Sequence, residues 1–113
     1  MKARLGIDIL EIERFRKSCE KYGIRFLKKI FSTKEIENMK DDYLKFSIAF
    51  SFKESIWKAL PDEIQKNYSF KKLKILFKEE KPILLTKIKN YKILMSYSQT
   101  GKYILTIVLL LRN

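Results

Sequence analysis

The alternation of apolar and polar positions is most informative over Tyr43–Leu60, where the chain reads YLKFSIAFSFKESIWKAL. Asp41 or Asp42 is a suitable N-cap before this stretch, and Pro61 ends a helix just after it. We therefore predict one helix over these residues. At the helical period, one of its faces is wholly apolar and must be buried: Ile48, Phe52, Ile56, Ala59 and Leu60.

The same helix carries an aromatic flank with one cation (Phe46, Phe50, Lys53 and Trp57) and a narrow polar stripe (Ser47, Ser51, Glu54 and Lys58). Glu54 and Lys58 are one turn apart and project in the same direction. Their spacing alone favours a surface ion pair that contributes a few tenths of a kcal/mol. The bulky aromatic neighbours favour the alternative, a carboxylate for a metal beside an ammonium for a phosphate.

Near the start of the chain, Arg4–Ile9 alternates between apolar and polar residues, which predicts a short strand. Its buried face is expected to carry the three large apolar residues, Leu5, Ile7 and Ile9. Asp8 and Gly6 share the other face, and Gly6 leaves room for another group to approach closely. Asp8 is then either a strand-end residue that caps the next helix or a metal-binding carboxylate with space in front of it.

Further helices are predicted between these two elements. Glu11–Tyr22 has helical periodicity, with Gly23 as its stop and four inward residues, Ile12, Phe15, Cys19 and Tyr22. Arg25–Phe31 adds a further helical turn or two. The capping-box pattern Ser32–Glu35 then starts a short helix that ends near Lys40.

After a polar connection over Pro61–Asn67, the composition favours strands, at Phe70–Phe77, Ile83–Ile88, Lys92–Ser98 and Tyr103–Leu111. Glu79–Pro82 separates the first two, and Gln99–Lys102 joins the last two as a hairpin. Alternation is lost in the final strand, where Val108–Leu111 is entirely apolar. Because such a strand is covered on both faces, we expect another subunit to cover one of them.

Length and composition restrict the class of protein. The chain has 113 residues, enough for one domain over 1–113, with 46% hydrophobic and 34% charged residues, as in a globular protein. Its net charge is +12, and residues 64–113 hold 11 Lys and Arg against 2 Asp and Glu. That excess suits an anionic partner: a nucleic acid, a phosphorylated cofactor or an acidic protein.

Other residue types exclude several kinds of site. Cys19 is the sole cysteine and there is no histidine, so an internal disulfide, a multi-cysteine metal site and an imidazole base are excluded. The start of the chain is too charged for a signal peptide, and the longest apolar run, Tyr103–Leu111, is too short to span a bilayer. We expect a cytoplasmic protein without a membrane partner.

Three motifs in order resemble the holo-acyl-carrier-protein synthase family, the small 4′-phosphopantetheinyl transferases. They are a GxD strand at Gly6–Asp8, an F-[TS]-x-x-E helix start at Phe31–Glu35, and an F-x-x-K-E-x-x-x-K-A helix from Phe50. The likeness covers nearly the whole chain. It implies an α+β fold with helices packed on a small antiparallel sheet, and a homotrimer with active sites between neighbours.

The resemblance also implies a reaction. Such an enzyme moves 4′-phosphopantetheine from coenzyme A (CoA) to a serine of apo-acyl carrier protein in fatty acid biosynthesis and releases 3′,5′-ADP. Asp8 and Glu54 match the carboxylates for Mg²⁺. Lys58 matches a cation that neutralises the pyrophosphate, with Lys53 on the flank of the same helix near the phosphates or an interface.

The resemblance also implies roles for two further sets of residues, assigned by their positions in the sequence. Ser98 and Gln99 match a cofactor-binding hairpin. Arg14, and less closely Lys21 and Arg25, match basic residues that hold the acidic carrier protein.

The chain departs from the family pattern at three places. Gln99 replaces a histidine of a Ser-His-Thr motif and cannot act as a base or a cation, so the serine proton passes to a metal-bound water or to Glu54, or turnover is slower. Ala49 replaces an arginine, and Pro61–Glu63 replaces a glycine-rich turn. Both changes affect expected nucleotide contacts, for which Lys66, Lys71 and Lys72 are candidates by proximity.

Two other functions remain open at this point. The charge, with eight Phe and six Tyr, allows a small basic RNA-binding module, although the basic residues follow no nucleic-acid motif and most aromatics occupy core positions. The departures allow an inactive relative of the transferase. Since Asp8, Glu54 and Lys58 are all present, we rank the active transferase first, with no nucleic-acid partner.

Overall fold

A computed structural model describes residues 2–113 of the chain as a mixed arrangement of helices and antiparallel strands. In chain order the elements are β1 (Ala3–Glu11), α1 (Ile12–Ile30), α2 (Thr33–Met39), α3 (Tyr43–Ala59), α4 (Asp62–Gln65), a 3-10 turn (Phe70–Lys72), β2 (Ile75–Lys78), β3 (Lys81–Leu84), β4 (Tyr91–Gln99) and β5 (Tyr103–Arg112). One antiparallel sheet has the order β1-β5-β4, and β2 pairs with β3 in a separate hairpin. The predicted α+β architecture, with helices on a small antiparallel sheet, is confirmed.

Helix α3 packs across one face of the three-stranded sheet, against β1 and β5. It begins at Asp42, whose side chain accepts hydrogen bonds from the backbone N–H groups of Leu44 and Lys45. All five residues of its predicted apolar face are buried, as expected. The contact with β1 is very close, because a Cβ on Gly6 would lie 1.8 Å from the carbonyl oxygen of Ser55. The group that approaches Gly6 is therefore the backbone of α3.

The buried face of β1 differs from the prediction. Gly6, Asp8 and Leu10 face α3, whereas Leu5, Ile7 and Ile9 are 56%, 44% and 67% exposed. The alternation identified the two faces correctly but assigned burial to the wrong one. Helix α3 comes closest to β1 at Gly6, where there is no side chain, and this contact turns the Gly6 face of the strand inward.

The three-stranded sheet consequently has an apolar side that none of the helices described within residues 2–113 covers. We call it the outer sheet face; its exposed large apolar residues are Leu5, Ile7, Ile9, Leu94, Leu105 and Ile107. The register places Ile7, Ile107 and Ser96 in one row across the strands. In β5 the alternate residues Ile104, Thr106, Val108 and Leu110 are buried towards α3. The doubly apolar last strand is thus covered on one face by its own chain.

Gly23 divides α1 into two helical segments, as the predicted stop at this residue implies. That residue has φ 65° and ψ −153°, which breaks the helix, but the helix resumes and continues to Ile30. Tyr22, just before this kink, is 58% exposed, so its predicted inward position is wrong. The capping box at Ser32 and Glu35 is present as predicted and starts α2.

The region between α3 and β4 contains less strand than predicted. The connection after Pro61 includes α4, and residues 70–72 form a 3-10 turn, so the strand expected over Phe70–Phe77 begins only at Ile75. The next strand is also displaced, to Lys81–Leu84. Within residues 2–113, none of the helices combines the length and apolar character needed to cross a bilayer.

Candidate active site

Asp8 of β1 meets the polar stripe of α3. Its Oδ1 accepts a hydrogen bond from Lys58 Nζ at 3.2 Å, and its Oδ2 accepts one from Ser51 Oγ at 2.8 Å. Lys58 Nζ also donates to the carbonyl oxygen of Ile7 at 3.2 Å. The fold thus brings the GxD motif and the polar stripe of α3 together, although they are far apart in the chain.

Glu54 borders the same cleft as Asp8 and is partly buried. Burial is the main cause that raises the pKa of the Glu54 carboxyl, and the charge of Asp8 raises it further, while Lys58 acts in the opposite direction. The two carboxylates are therefore near enough to repel each other. Such a pair is stabilised by a cation placed between them.

The geometry excludes the Glu54–Lys58 surface pair and the capping role of Asp8 that were considered for these residues. In the described part of the chain, the ion-pair partner of Lys58 is Asp8, and no ion pair joins Lys58 to Glu54. The simple surface pair along α3 is therefore not formed. Asp8 does not cap α1 either, since the N-cap is Glu11 and no side chain caps that helix end.

The donor set fits Mg²⁺. No group of three or more Asp, Glu or Cys side chains is placed to hold a metal among residues 2–113, so an all-protein cage is absent from that part of the chain. Mg²⁺ usually binds through one or two carboxylates, with phosphate and water oxygens completing the shell. Asp8 already holds an ammonium group, which shows that this position accepts a cation.

A cleft of about 380 Å³ extends from these carboxylates along α1. Its far wall is apolar and comes from Leu10, Phe15, Phe26 and Phe50, with the rings of Phe15 and Phe50 stacked at 5.1 Å. Arg14 lines the same cleft and is exposed. The cleft therefore combines charged side chains of both signs with a largely aromatic apolar lining.

The structure brings some predicted residues to the cleft and leaves others outside it. Of the three α1 residues predicted to hold the carrier protein, Arg14 lines the cleft, whereas Lys21 and Arg25 are exposed on either side of the Gly23 kink. Lys21 Nζ lies 5.3 Å from the ring centroid of Tyr22. All three are accessible to a partner.

Lys53 does not lie on the accessible flank that the sequence predicts. Its side chain is 0% exposed and pairs with Glu35, also 0% exposed, at 2.8 Å. Its Nζ also donates to the carbonyl oxygen of Phe70 and lies 4.9 Å from the ring centroid of Phe31. The placement of Lys53 near phosphates or an interface is therefore wrong for this chain, because its ammonium is enclosed and its donors are engaged.

Ser98 and Gln99 lie at the end of β4 and do not line the cleft bordered by Asp8 and Glu54. Ser98 is paired with Leu105 and shares the outer sheet face with it, while Gln99 is paired with Ile104. Within one chain, these predicted cofactor contacts are separated from the carboxylates by the width of the sheet.

Sequence reasoning missed the hydroxyl groups behind Asp8. Ser51, Ser55 and Thr106 are all fully buried and hydrogen-bonded to one another. Thr106 could have been recognised as the single Ser or Thr within the apolar strand β5. Glu35 was identified as a capping residue, but its second role as partner of a buried lysine was not predictable from local spacing.

Comparisons with known proteins identify the relatives of this chain. The family model described as the 4′-phosphopantetheinyl transferase superfamily matches residues 4–108. The holo-[acyl-carrier-protein] synthase of Buchnera aphidicola subsp. Cinara cedri is 36% identical over 108 residues, which cover 91% of this chain and 84% of the relative. That of Chloroherpeton thalassium is 33% identical and covers 95% of this chain and 96% of its own length.

Solved structures give the same result. Helicobacter pylori holo-[acyl-carrier-protein] synthase in complex with coenzyme A superposes with a TM-score of 0.79 at 27% identity, covering 94% of this chain and 98% of its own. A complex of the Chronobacterium ammoniagenes synthase with CoA, at 19% identity, supports the fold with a TM-score of 0.78 over 100% of this chain and 99% of its own.

Proposed function

The chain belongs to the 4′-phosphopantetheinyl transferase superfamily, and we propose that it is a holo-[acyl-carrier-protein] synthase that transfers 4′-phosphopantetheine from CoA to a serine of apo-acyl carrier protein. The serine oxygen attacks the phosphorus that bears pantetheine and forms a phosphodiester. The phosphoanhydride bond breaks, and 3′,5′-ADP leaves. The observation that carries this proposal is the meeting of Asp8, Glu54 and Lys58 at one cleft.

Asp8 and Glu54 are the residues that would hold Mg²⁺. When bound, the ion supplies positive charge to the pyrophosphate oxygens. Lys58 adds to that charge. Its side chain is 49% exposed, so its ammonium can leave Asp8 and reach an incoming pyrophosphate. Charge stabilisation of this kind is the main contribution of proteins to phosphoryl transfer.

Glu54 is also the group best suited to accept the serine proton. The chain has no histidine, and Gln99 has no basic group. Burial and the neighbouring Asp8 raise the pKa of the Glu54 carboxyl, which brings it closer to the operating pH than an ordinary carboxyl. Glu54 would then serve both as a ligand of Mg²⁺ and as the acceptor of the serine proton.

The carrier protein docks against α1 in this proposal. Arg14 reaches the cleft itself, and Lys21 and Arg25 extend the positive strip along the helix. Acyl carrier proteins are acidic, and a partner that must bind, react and leave is well served by surface charge. We place the reaction in the cytoplasm, as a step that supplies holo-carrier protein to fatty acid biosynthesis.

A homotrimer is part of the same proposal. The outer sheet face exposes six large apolar residues, more than a monomer usually tolerates in one patch. Ser98 lies on that face, so contact between copies would allow Ser98 and Gln99 to reach the cleft of a neighbour. The number three comes from the family resemblance.

The test is incubation of the purified protein with CoA, Mg²⁺ and an apo-acyl carrier protein, followed by mass spectrometry of the carrier. We expect the carrier to gain one phosphopantetheine group only when all components are present. A folded protein that binds CoA without transferring this group would be an inactive relative. A protein that binds RNA but not CoA would overturn the proposal.

A further inference from the structure

We propose that Ser51 is a positioning residue for Asp8: its buried hydroxyl holds Oδ2 so that Oδ1 stays directed towards the cation position in the cleft. The inference rests on the proposed metal site of Asp8 and Glu54, and it adds a residue that is neither a ligand nor a substrate contact. Ser51 is fully buried and donates to Asp8 Oδ2 at 2.8 Å.

The direction of the hydrogen bonds follows from a count of protons. Ser51, Ser55 and Thr106 each have one hydroxyl proton, whereas the ionised carboxylate of Asp8 can only accept. Ser55 Oγ lies 2.6 Å from Thr106 Oγ1, and Thr106 Oγ1 lies 2.9 Å from Ser51 Oγ. Ser51 donates to Asp8 and Ser55 can donate to Thr106, while Thr106 can donate to Ser51 Oγ or to the Ser51 carbonyl oxygen, 3.1 Å away.

The reverse direction is unfavourable. If Ser51 donated to Thr106, Asp8 Oδ2 would lose the donor that the structure places 2.8 Å away. An acceptor without a donor in a buried position costs about 1–3 kcal/mol. The chain of hydroxyls therefore ends at the carboxylate, and each hydrogen bond strengthens the next in the low dielectric of the interior.

Ser47 shows that a buried serine of α3 need not behave in this way. It lies one turn before Ser51, is equally buried, and donates to the carbonyl oxygen of Tyr43 in its own helix at 2.7 Å. Ser51 instead donates across to β1. The local helix geometry offers the first arrangement to both serines, so the second depends on Asp8.

The hydrogen bond from Ser51 affects how the Asp8 carboxylate can bind a metal ion. Asp8 is only 14% exposed, with Oδ2 facing the hydroxyl chain and Oδ1 facing Lys58. A carboxylate that is fixed in this orientation presents one oxygen to a cation without first being ordered. Partners of this type, which hold a ligand rather than the metal, commonly change metal affinity by about 10–100-fold when removed.

The experiment is a Mn²⁺ titration of the full-length protein without substrate, followed by the electron paramagnetic resonance signal of free Mn²⁺. We expect Ser51→Ala to weaken Mn²⁺ binding about tenfold, while Ser47→Ala, the matched control, binds like the wild type. Ser51→Cys keeps the shape of the side chain with a weaker donor and should lie between them. Thermal unfolding by circular dichroism establishes that each variant is folded.

The outcomes separate this inference from the function on which it rests. Equal Mn²⁺ affinity of folded Ser51→Ala and Ser47→Ala, with binding lost in Asp8→Asn, would overturn the positioning role and leave the metal site intact. Wild-type binding that Asp8→Asn does not weaken would remove the metal site and the inference together. If Ser51→Ala does not fold, Ser51→Cys with wild-type affinity would overturn the inference in its place.

Discussion

Glu54 is subject to opposing influences on its pKa, and their balance predicts how activity depends on pH. Burial and the charge of Asp8 raise the pKa of Glu54 above its ordinary value of 4.5, and Lys58 only partly offsets them. A proton and a metal ion compete for this carboxylate. We expect activity at low Mg²⁺ concentration to fall as the pH falls through this raised pKa, at a higher pH than for an ordinary glutamate.

Because a proton and Mg²⁺ compete for Glu54, the pH profile of activity should also depend on the Mg²⁺ concentration. Raising the Mg²⁺ concentration should move the acidic limb of the kcat/KM profile to lower pH, because bound metal disfavours protonation. The measurement is the pH profile at two Mg²⁺ concentrations, with Glu54→Gln as the inactive reference. An acidic limb that does not move with Mg²⁺ concentration would assign it to another group.

Lys53 leads to a prediction about stability instead of catalysis. Removal of one partner of a buried ion pair leaves the other charge uncompensated, at a cost of about 3–5 kcal/mol. We expect Lys53→Met to lose stability of this order, and Lys53→Met/Glu35→Gln to recover part of it, in urea denaturation. In Lys53→Met, Glu35 retains the backbone donors of Ser32 and Ile75, whereas in the double variant the single glutamine oxygen can accept from only one of them, so the recovery is partial. The KM for CoA, measured on the folded fraction, should be unchanged.

The pH dependence of stability tests whether the Lys53 side chain is buried. Folding lowers the pKa of Lys53 from 10.5 to about 8, mainly by desolvation. Between these values the unfolded chain binds the proton more tightly, so this residue makes the free energy of unfolding rise as pH increases from about 8 towards 10.5. Lys53→Met should lack that rise. An identical pH dependence in both proteins would indicate that Lys53 is not buried as described.

Among the elements, the contact of β1 with α3 determines where Asp8 lies. A Cβ at position 6 would lie 1.8 Å from Ser55 O and 3.2 Å from Ala59 Cβ, so α3 would have to move away from the strand. We expect Gly6→Ala to cost about 1–3 kcal/mol or more in free energy of unfolding. Gly101→Ala is the matched control, since nothing lies within 4 Å of its Cβ position. Equal stability of the two variants would contradict this packing.

The same contact shows what the sequence could and could not predict. The period-2 pattern of β1 and the helical period of α3 were sufficient to predict both elements and their chemistry-bearing residues. Neither pattern contains the distance between the elements, so the covered face of β1 was predicted wrongly. The strand expected from Phe70 failed for a related reason: the buried ammonium of Lys53, 17 residues earlier in the chain, donates to the Phe70 carbonyl oxygen, and a local pattern does not include such partners.

At the scale of the whole molecule, the outer sheet face predicts self-association. Ile107 lies in the middle row of this face, with Ile7 beside it, and is 39% exposed. We expect the wild type to sediment as a trimer and Ile107→Asp to dissociate it, because a charge on an apolar interface is left without a partner. Ile83→Asp changes a residue of similar exposure, 37%, on the separate hairpin and should leave the trimer intact. A monomeric wild type at micromolar concentration would contradict the prediction.

The distribution of charge over the molecule predicts how the carrier protein is held. Arg14 combines exposure with a place in the cleft, so a carrier bound to it presents its serine close to Asp8 and Glu54. We expect Arg14→Glu to raise the KM for the carrier about tenfold at low salt, a change of about 1.4 kcal/mol. The KM for CoA should be nearly unchanged, and added salt should weaken carrier binding by the wild type in the same direction.

Lys34→Glu is the control for this last prediction, since it makes the same change of charge at an exposed position of α2 that does not line the cleft. If the loss came only from the lower net charge, both variants would raise the KM for the carrier equally. A specific contact predicts a large effect for Arg14 and a small one for Lys34. If Arg14→Glu instead raised the KM for CoA and left that for the carrier unchanged, Arg14 would belong to the nucleotide site, and carrier docking would depend on another surface.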